Sequence, residues 1–299
     1  MKRHTISAFV VAILGAVSLP ESTLAQTAIQ ETAQPDKATV RLATVRTPRD
    51  GGLLDELIAR FESRTNYRVE VSVGKLVYED AKVGKADVVL SHFGHSHLGV
   101  EPFVQEGYGL WPQAVLFSRD GFIIPKGDPA EVAGLADPVE IFRRIAESGS
   151  SFIANDDESH NYAVETLWHA AGSPDREGWY LDLDAKNSKV AELAASKNAY
   201  SVWGATAFKD WQDKTGDDQL SMVLPDGPVM SRLMVIDVVN PERFPEANVE
   251  GAKAFVQFLL EPETQAQIAA FKSDRFPAAP FLPAGRSNVD GAISSRSGN

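Results

Sequence analysis

The sequence contains no cysteine. Disulfides, thiolate metal sites, a cysteine nucleophile and a lipid-bearing N-terminal cysteine are all excluded by that one absence. Whatever holds the fold must therefore come from its core. Basic residues are scarce as well, with 29 Lys and Arg against 41 Asp and Glu, a net charge of −12. So acidic a field repels nucleic-acid phosphates and anionic lipid headgroups, and no nucleic-acid partner is expected. Long apolar runs are missing too: the stretch Ile6–Leu19 falls short of the ~20 residues that a membrane-spanning helix needs. There is also no Gly-x-Ser-x-Gly elbow, no His-Glu-x-x-His helix and no glycine-rich phosphate loop. The expectation is a protein that is not an enzyme and uses no cofactor.

What is present begins with an export pattern. Lys2, Arg3 and His4 precede the apolar run Ile6–Leu19, and Thr23-Leu24-Ala25 stands where a signal peptidase would cut before Gln26. Residues 1–25 therefore read as a cleaved signal peptide, which places the mature chain in the periplasm with no insertion in the membrane. Removing those residues takes away Lys2, Arg3 and Glu21 and leaves a net charge of −13. The tail 284–299, rich in Gly, Ser and Asn, reads as disordered.

Between these ends, strands alternate with helices. Ala38–Ala43 reads as a strand, Leu53–Thr65 as a helix with Leu53, Leu54, Leu57, Ile58 and Phe61 on one face, and Tyr67–Val73 as the next strand. Short apolar strands follow at Ala86–Leu90, Ala114–Phe117, Gly121–Pro125, Ser151–Ala154, Ala199–Trp203 and Leu233–Val239, with helices between them and a long helical region, Val249–Lys272, interrupted near Pro262. This alternation predicts parallel sheets covered by helices, an α/β protein. In such folds ligands sit beyond the carboxyl ends of strands, at helix N-termini. Four junctions of that kind carry polar residues: Thr44–Gly52, Ser91–His97, Asn155–Asn161 and Ser201–Thr206.

Six blocks, in order, carry a resemblance. They are L-A-T-V-R-T-P-R-D-G-G-L-L-D, G-K-A-D-V-V-L-S-H, F-V-Q-E-G-Y-G, G-F-I-I-P-K-G-D-P-A, W-H-A-A-G-S-P-D-R-E-G-W-Y and V-V-N-P-E-R-F-P-E-A-N-V-E-G-A-K-A-F-V-Q-F-L-L. Together they span roughly Thr39 to Lys272, and their pattern resembles the tungstate-binding components of ABC importers. The resemblance implies a type II periplasmic-binding-protein fold: two α/β lobes joined by a two-crossover hinge, closing over an oxyanion. One lobe would comprise residues 36–115 plus 230–283 and the other residues 116–229. It also implies as partners a small anionic ligand and either ABC importer membrane subunits or a sensor, with the chain acting as a monomer. The chain departs from the family pattern in its ligand loops. The usual run of hydroxyl residues after the first strand is reduced to Thr44 and Thr47, an expected arginine is replaced within Leu110-Trp111-Pro112-Gln113, and the second-lobe loop reads Ala154-Asn155-Asp156-Asp157-Glu158-Ser159-His160.

A tetrahedral oxyanion shielded from water is held by neutral donors, helix N-termini and an arginine, because unpaired buried charge is costly. On that chemistry the candidate ligand-binding residues are Thr44, Arg46, Thr47, His92, Ser159, His160 and Trp203. Thr47 has a plainer reading as a helix cap, and Arg46 as a solvated side chain. His92, His95 and His97 form a second cluster, and imidazole is a common ligand for zinc, copper or nickel. A periplasmic metal-binding protein or metallohydrolase using these three histidines, with Asp157, is the alternative reading.

Overall fold

A computed structural model of the chain describes residues 38–94, 98–272, 275–276 and 278–284. The predicted signal peptide and tail lie outside these residues, save Ala284, as do His95 and His97. In chain order the elements are β1 Ala38–Thr44, α1 Arg46–Asp50, α2 Leu53–Arg64, β2 Tyr67–Val73, α3 Val77–Lys82, β3 Val88–His92, α4 Val100–Gln105 and β4 Gln113–Pro125. Then come α5 Pro138–Ser148, β5 Phe152–Ile153, α6 Glu158–Ala170, β6 Tyr180–Leu181, α7 Ser188–Lys197, β7 Ser201–Gly204, α8 Ala205–Thr215 and β8 Leu220–Val223. The chain ends with β9 Ser231–Val238, α9 Val249–Leu260, α10 Pro262–Ala270 and β10 Phe281–Pro283.

Local chemistry sets these boundaries. The α5 helix starts where the Asp137 side chain accepts from Val139 N at 2.9 Å with proline at its first position, and it stops at Gly149 in the left-handed region. In α2, Leu53, Leu54, Leu57 and Phe61 recur at helical spacing and all are buried. Pro262, which cannot continue the amide ladder, separates α9 from α10.

The sheet is mixed, which corrects the expectation of parallel sheets. β1 pairs in parallel with β2 and β3, but β3–β9, β4–β9, β4–β10, β4–β7 and β4–β8 are all antiparallel. Helical connections alternating with strands do not fix strand direction when a strand arrives late in the chain, as β9 does between β3 and β4. The two short segments expected at 114–117 and 121–125 are one strand, β4, of 13 residues. The charged pair Arg119-Asp120 at its middle breaks the apolar pattern without breaking the strand. The first part of β4 pairs with β9 and β10, and its last part with β7 and β8.

The core divides along the same line. Val40, Leu42, Phe61, Leu90, Met234 and Phe255 pack with their neighbours under the β1–β3–β9 region. Phe122, Phe142, Phe152, Trp179 and Tyr200 form a second cluster with α5 and α6, and Ile123, Val190, Phe208 and Trp211 a third with α7 and α8. Each fully buried aliphatic or aromatic side chain contributes about 1.5–3 kcal/mol, so these clusters supply the stability that disulfides cannot. A buried acid braces the first region: Asp87 accepts from Arg41 N at 2.7 Å, from the Arg41 guanidinium and from Asn248 N at 3.1 Å.

Gly121 marks the point in β4 where a side chain has no room. A Cβ there would lie 2.6 Å from both Met222 Cγ and the Val223 carbonyl oxygen, and the carbonyl belongs to the paired backbone of β8. Gly121→Ala is expected to lower the free energy of unfolding by about 1–3 kcal/mol, read as a lower urea midpoint at unchanged slope.

Candidate functional site

All four polar junctions send residues to the wall of one polar cavity of about 160 Å³. Thr47 comes from α1, His92 from the end of β3, Asp157 and His160 from the start of α6, and Trp203, Gly204 and Thr206 from the β7–α8 turn. Asp120 in the middle of β4 and Arg232 at the start of β9 also line it. A wider space of about 770 Å³ shares His92, Asp120, Asp157 and Arg232 and continues past Lys75 and Tyr162.

The candidate residues separate clearly. Thr44 is fully buried, and its hydroxyl donates to the Leu90 carbonyl at 3.0 Å; it is absent from the cavity wall. Strand alternation explains this, since Thr44 points into the β1–β3 seam. Arg46 is turned outward and pairs with Asp50 at 2.7 Å and Asp210 at 3.3 Å. Thr47 is on the wall, 3.2 Å from His92 Nε2. Ser159 lines the wider space and donates to Asp157 at 2.6 Å. Trp203 is buried and lines the cavity. Among the described residues, no group of three or more His, Asp or Glu is disposed to hold a metal ion.

His160 is the electrostatic centre. Its Nδ1 lies 3.0 Å from Asp157 and its Nε2 lies 3.5 Å from Asp120, an ion-pair distance at the outer edge of hydrogen bonding. Burial opposes charge on His160, but the carboxylate of Asp120 and the contacts to both acids outweigh it and hold the imidazole above its ordinary value. Asp157 is held below the usual carboxylate range, first by its hydrogen bond from His160 and then by that from Ser159, against the effect of burial. Burial would raise Asp120, yet His160 and the more distant Arg232 overcome it and keep Asp120 ionised. His92 is the opposite case. Its ring is partly open to the cavity, but its Nδ1 is sealed without a partner, and burial, with the Arg232 charge, pushes it down to about 3.

Three donors remain. The Arg232 guanidinium makes no hydrogen bond or ion pair with any described residue. The α8 helix begins at Gly204 with no side-chain cap, and Gly204, Thr206 and Ala207 form part of the wall. The α6 helix likewise starts without a side-chain cap. Arg119 also borders the cavity, but it is occupied by the Leu224 and Pro225 carbonyls at 2.8 and 3.0 Å. Asp120 and Arg232 did not emerge as candidates from sequence. Their signal was nonetheless present: a charged residue inside the apolar strand Q-A-V-L-F-S-R-D-G-F-I-I-P and another opening S-R-L-M-V-I-D-V.

A small polar cavity walled by strand ends and uncapped helix starts is suited to holding a small solute. The chain belongs to the bacterial extracellular solute-binding protein family, whose model matches residues 43–271. A Haloferax volcanii relative, described provisionally as an ABC transporter anion-binding protein, is 31% identical over 238 residues, which is 78% of this chain and 69% of that one. The tungstate-binding protein TupA of Peptoclostridium acidaminophilum is 28% identical over 253 residues, 83% of this chain and 86% of that one. Among solved structures, the tungstate-binding protein TupA of Desulfovibrio alaskensis G20 is 22% identical and superposes with a TM-score of 0.66 over 83% of this chain and 99% of that one. The tungstate ABC transporter structure from Geobacter sulfurreducens is 24% identical, with a TM-score of 0.60 over 78% of this chain and 98% of that one. These likenesses establish a shared fold.

The two histidines predict opposite limbs of a pH–stability curve. His92 binds fewer protons folded than unfolded, so its contribution is present above its ordinary 6.5 and is lost as pH falls toward 3. His160 binds more protons folded than unfolded, so its contribution is present below 6.5 and is lost as pH rises through its elevated folded value. Urea unfolding across pH is expected to show a flatter acid limb in His92→Gln and a flatter alkaline limb in His160→Gln.

Proposed function

We propose that this chain captures a small tetrahedral oxyanion, the class to which tungstate and molybdate belong, and delivers it to an ABC importer or a sensor partner. The observation that carries this reading is Arg232, whose guanidinium lies unpartnered on the wall of a small polar cavity. An unpaired cation in such a place is costly unless a ligand neutralises it. Thr47 and the uncapped start of α8 supply neutral donors on the same wall, the arrangement a helix N-terminus offers an anion. The printed descriptions of the Haloferax and Peptoclostridium relatives, anion binding and tungstate binding, support the same class.

Binding would follow from closure of two lobes, one of residues 36–115 plus 230–283 and one of residues 116–229. The division of the core into clusters on either side of the middle of β4 supports this, with β4 and the approach to β9 as the crossovers. The mature protein would begin at Gln26, reside in the periplasm and act as a monomer. Arg46 and Thr44, occupied elsewhere, have no part in this version of the site.

An oxyanion at about 100 times its dissociation constant is expected to stabilise the native chain by about 2.7 kcal/mol in a thermal or urea titration. Arg232→Gln should weaken binding by roughly ten- to a hundredfold, the loss of one hydrogen bond to a charged ligand. Thr47→Val should weaken it less. Thr44→Val should lower stability and leave affinity unchanged. Stabilisation by zinc or nickel alone, with no oxyanion active, would replace this reading with a metal-binding one.

A further inference from the structure

The cavity that faces an anion also contains a carboxylate with unused acceptors. The Asp120 side chain is 2% exposed and lies on the wall of both the small cavity and the wider space. An ionised carboxylate has about four lone-pair sites and no donor. Among the described residues its nearest partner is His160 Nε2 at 3.5 Å. Asp157 differs in this respect, because Ser159 at 2.6 Å and His160 Nδ1 at 3.0 Å both address it. His160 cannot turn to serve a ligand without breaking from one of its two acids.

A ligand that fills this cavity therefore meets donors at Arg232 and the start of α8, and an acceptor at Asp120. A fully deprotonated oxyanion has acceptors only. Set against Asp120, it would place two negative oxygens together with no proton between them, in surroundings that screen charge poorly. An oxyanion that still carries one proton meets both demands, its O–H donating to Asp120 while its other oxygens accept. The volume allows it, since about 160 Å³ is room for a four-oxygen anion.

Resting on the oxyanion reading above, we propose that the site selects a monoprotonated tetrahedral oxyanion of the hydrogenphosphate and hydrogenarsenate class, with Asp120 as the residue that requires the proton. Sulfate, tungstate and molybdate, which arrive without that proton, are then the weaker ligands of the same oxyanion class. A buried polar group left unpaired by the wrong ligand discriminates strongly, and sites built to bond a hydroxyl reject the analogue lacking it by factors on the order of 10⁴.

The test is isothermal titration calorimetry of the full chain at mildly alkaline pH. There, inorganic phosphate and sulfate match in size and charge and differ by one proton. Phosphate and arsenate are expected to bind at least about a hundredfold more tightly than sulfate, tungstate or molybdate. Asp120→Asn, which offers an amide donor in place of an acceptor, should shrink that ratio at least about tenfold, with sulfate gaining and phosphate losing. If Asp120→Asn fails to fold without its partner for His160, the ratio in the native chain decides alone. Tungstate or sulfate binding as tightly as phosphate would overturn the selectivity while leaving an oxyanion-binding protein. Absence of binding by all five anions would overturn both.

Discussion

One ion triad, centred on the buried His160, makes the rest of the site possible. Asp120 belongs to the middle of β4, and His160 and Asp157 to the start of α6, so the triad pins the longest strand to a helix from another part of the chain. Neither Asp120 nor His160 is stable alone as a buried charge, because stripping water from an ion costs several kcal/mol before any partner is found, and the half-exposed Asp157 adds a second carboxylate to the imidazole. Paired, they hold the α6 start against the strand and leave the cavity between them lined by groups of fixed charge. The apolar clusters on either side supply the stability that such a polar centre does not.

The same sheet shows what happens when the cation is missing. Asp237 in β9 is buried, neither of its oxygens has a hydrogen-bond partner, and burial pushes it up to about 8, so it is largely uncharged at neutral pH. Asp120, equally buried, is held ionised by the imidazolium beside it. Two aspartates on adjacent strands thus adopt opposite protonation states. The difference lies entirely in what stands within a few ångströms.

Much of the architecture is legible in the residues. Strands of branched apolar residues, proline and glycine punctuation and the alternation with amphipathic helices locate nearly every element, and polar strand–helix junctions point to the cavity. Direction and continuity are less legible. The reversal of β9 between β3 and β4 depends on long-range pairing that no local pattern encodes, and Arg119-Asp120 reads as a break although both residues continue β4 and find their side-chain partners outside it. Within the first junction, Thr44 and Thr47 look equivalent as side chains. Only the register of β1 against β3, which directs Thr44 to the Leu90 carbonyl, separates a structural hydroxyl from one that faces the cavity. Arg232 is hidden for a related reason, since what marks it is a guanidinium with no partner among the described residues.

The two cavity histidines have a consequence for a member of an extracellular solute-binding family, whose surroundings are not buffered by a cell. His92 gains its proton only near 3, while His160 keeps its own beyond the ordinary imidazole value. Across mildly acidic conditions, between about 3 and the ordinary imidazole value, neither ring changes state. The receptor then behaves as a calibrated electrode with a constant offset: when the medium acidifies, what varies at the cleft is the chemistry of the visitor and not that of the host.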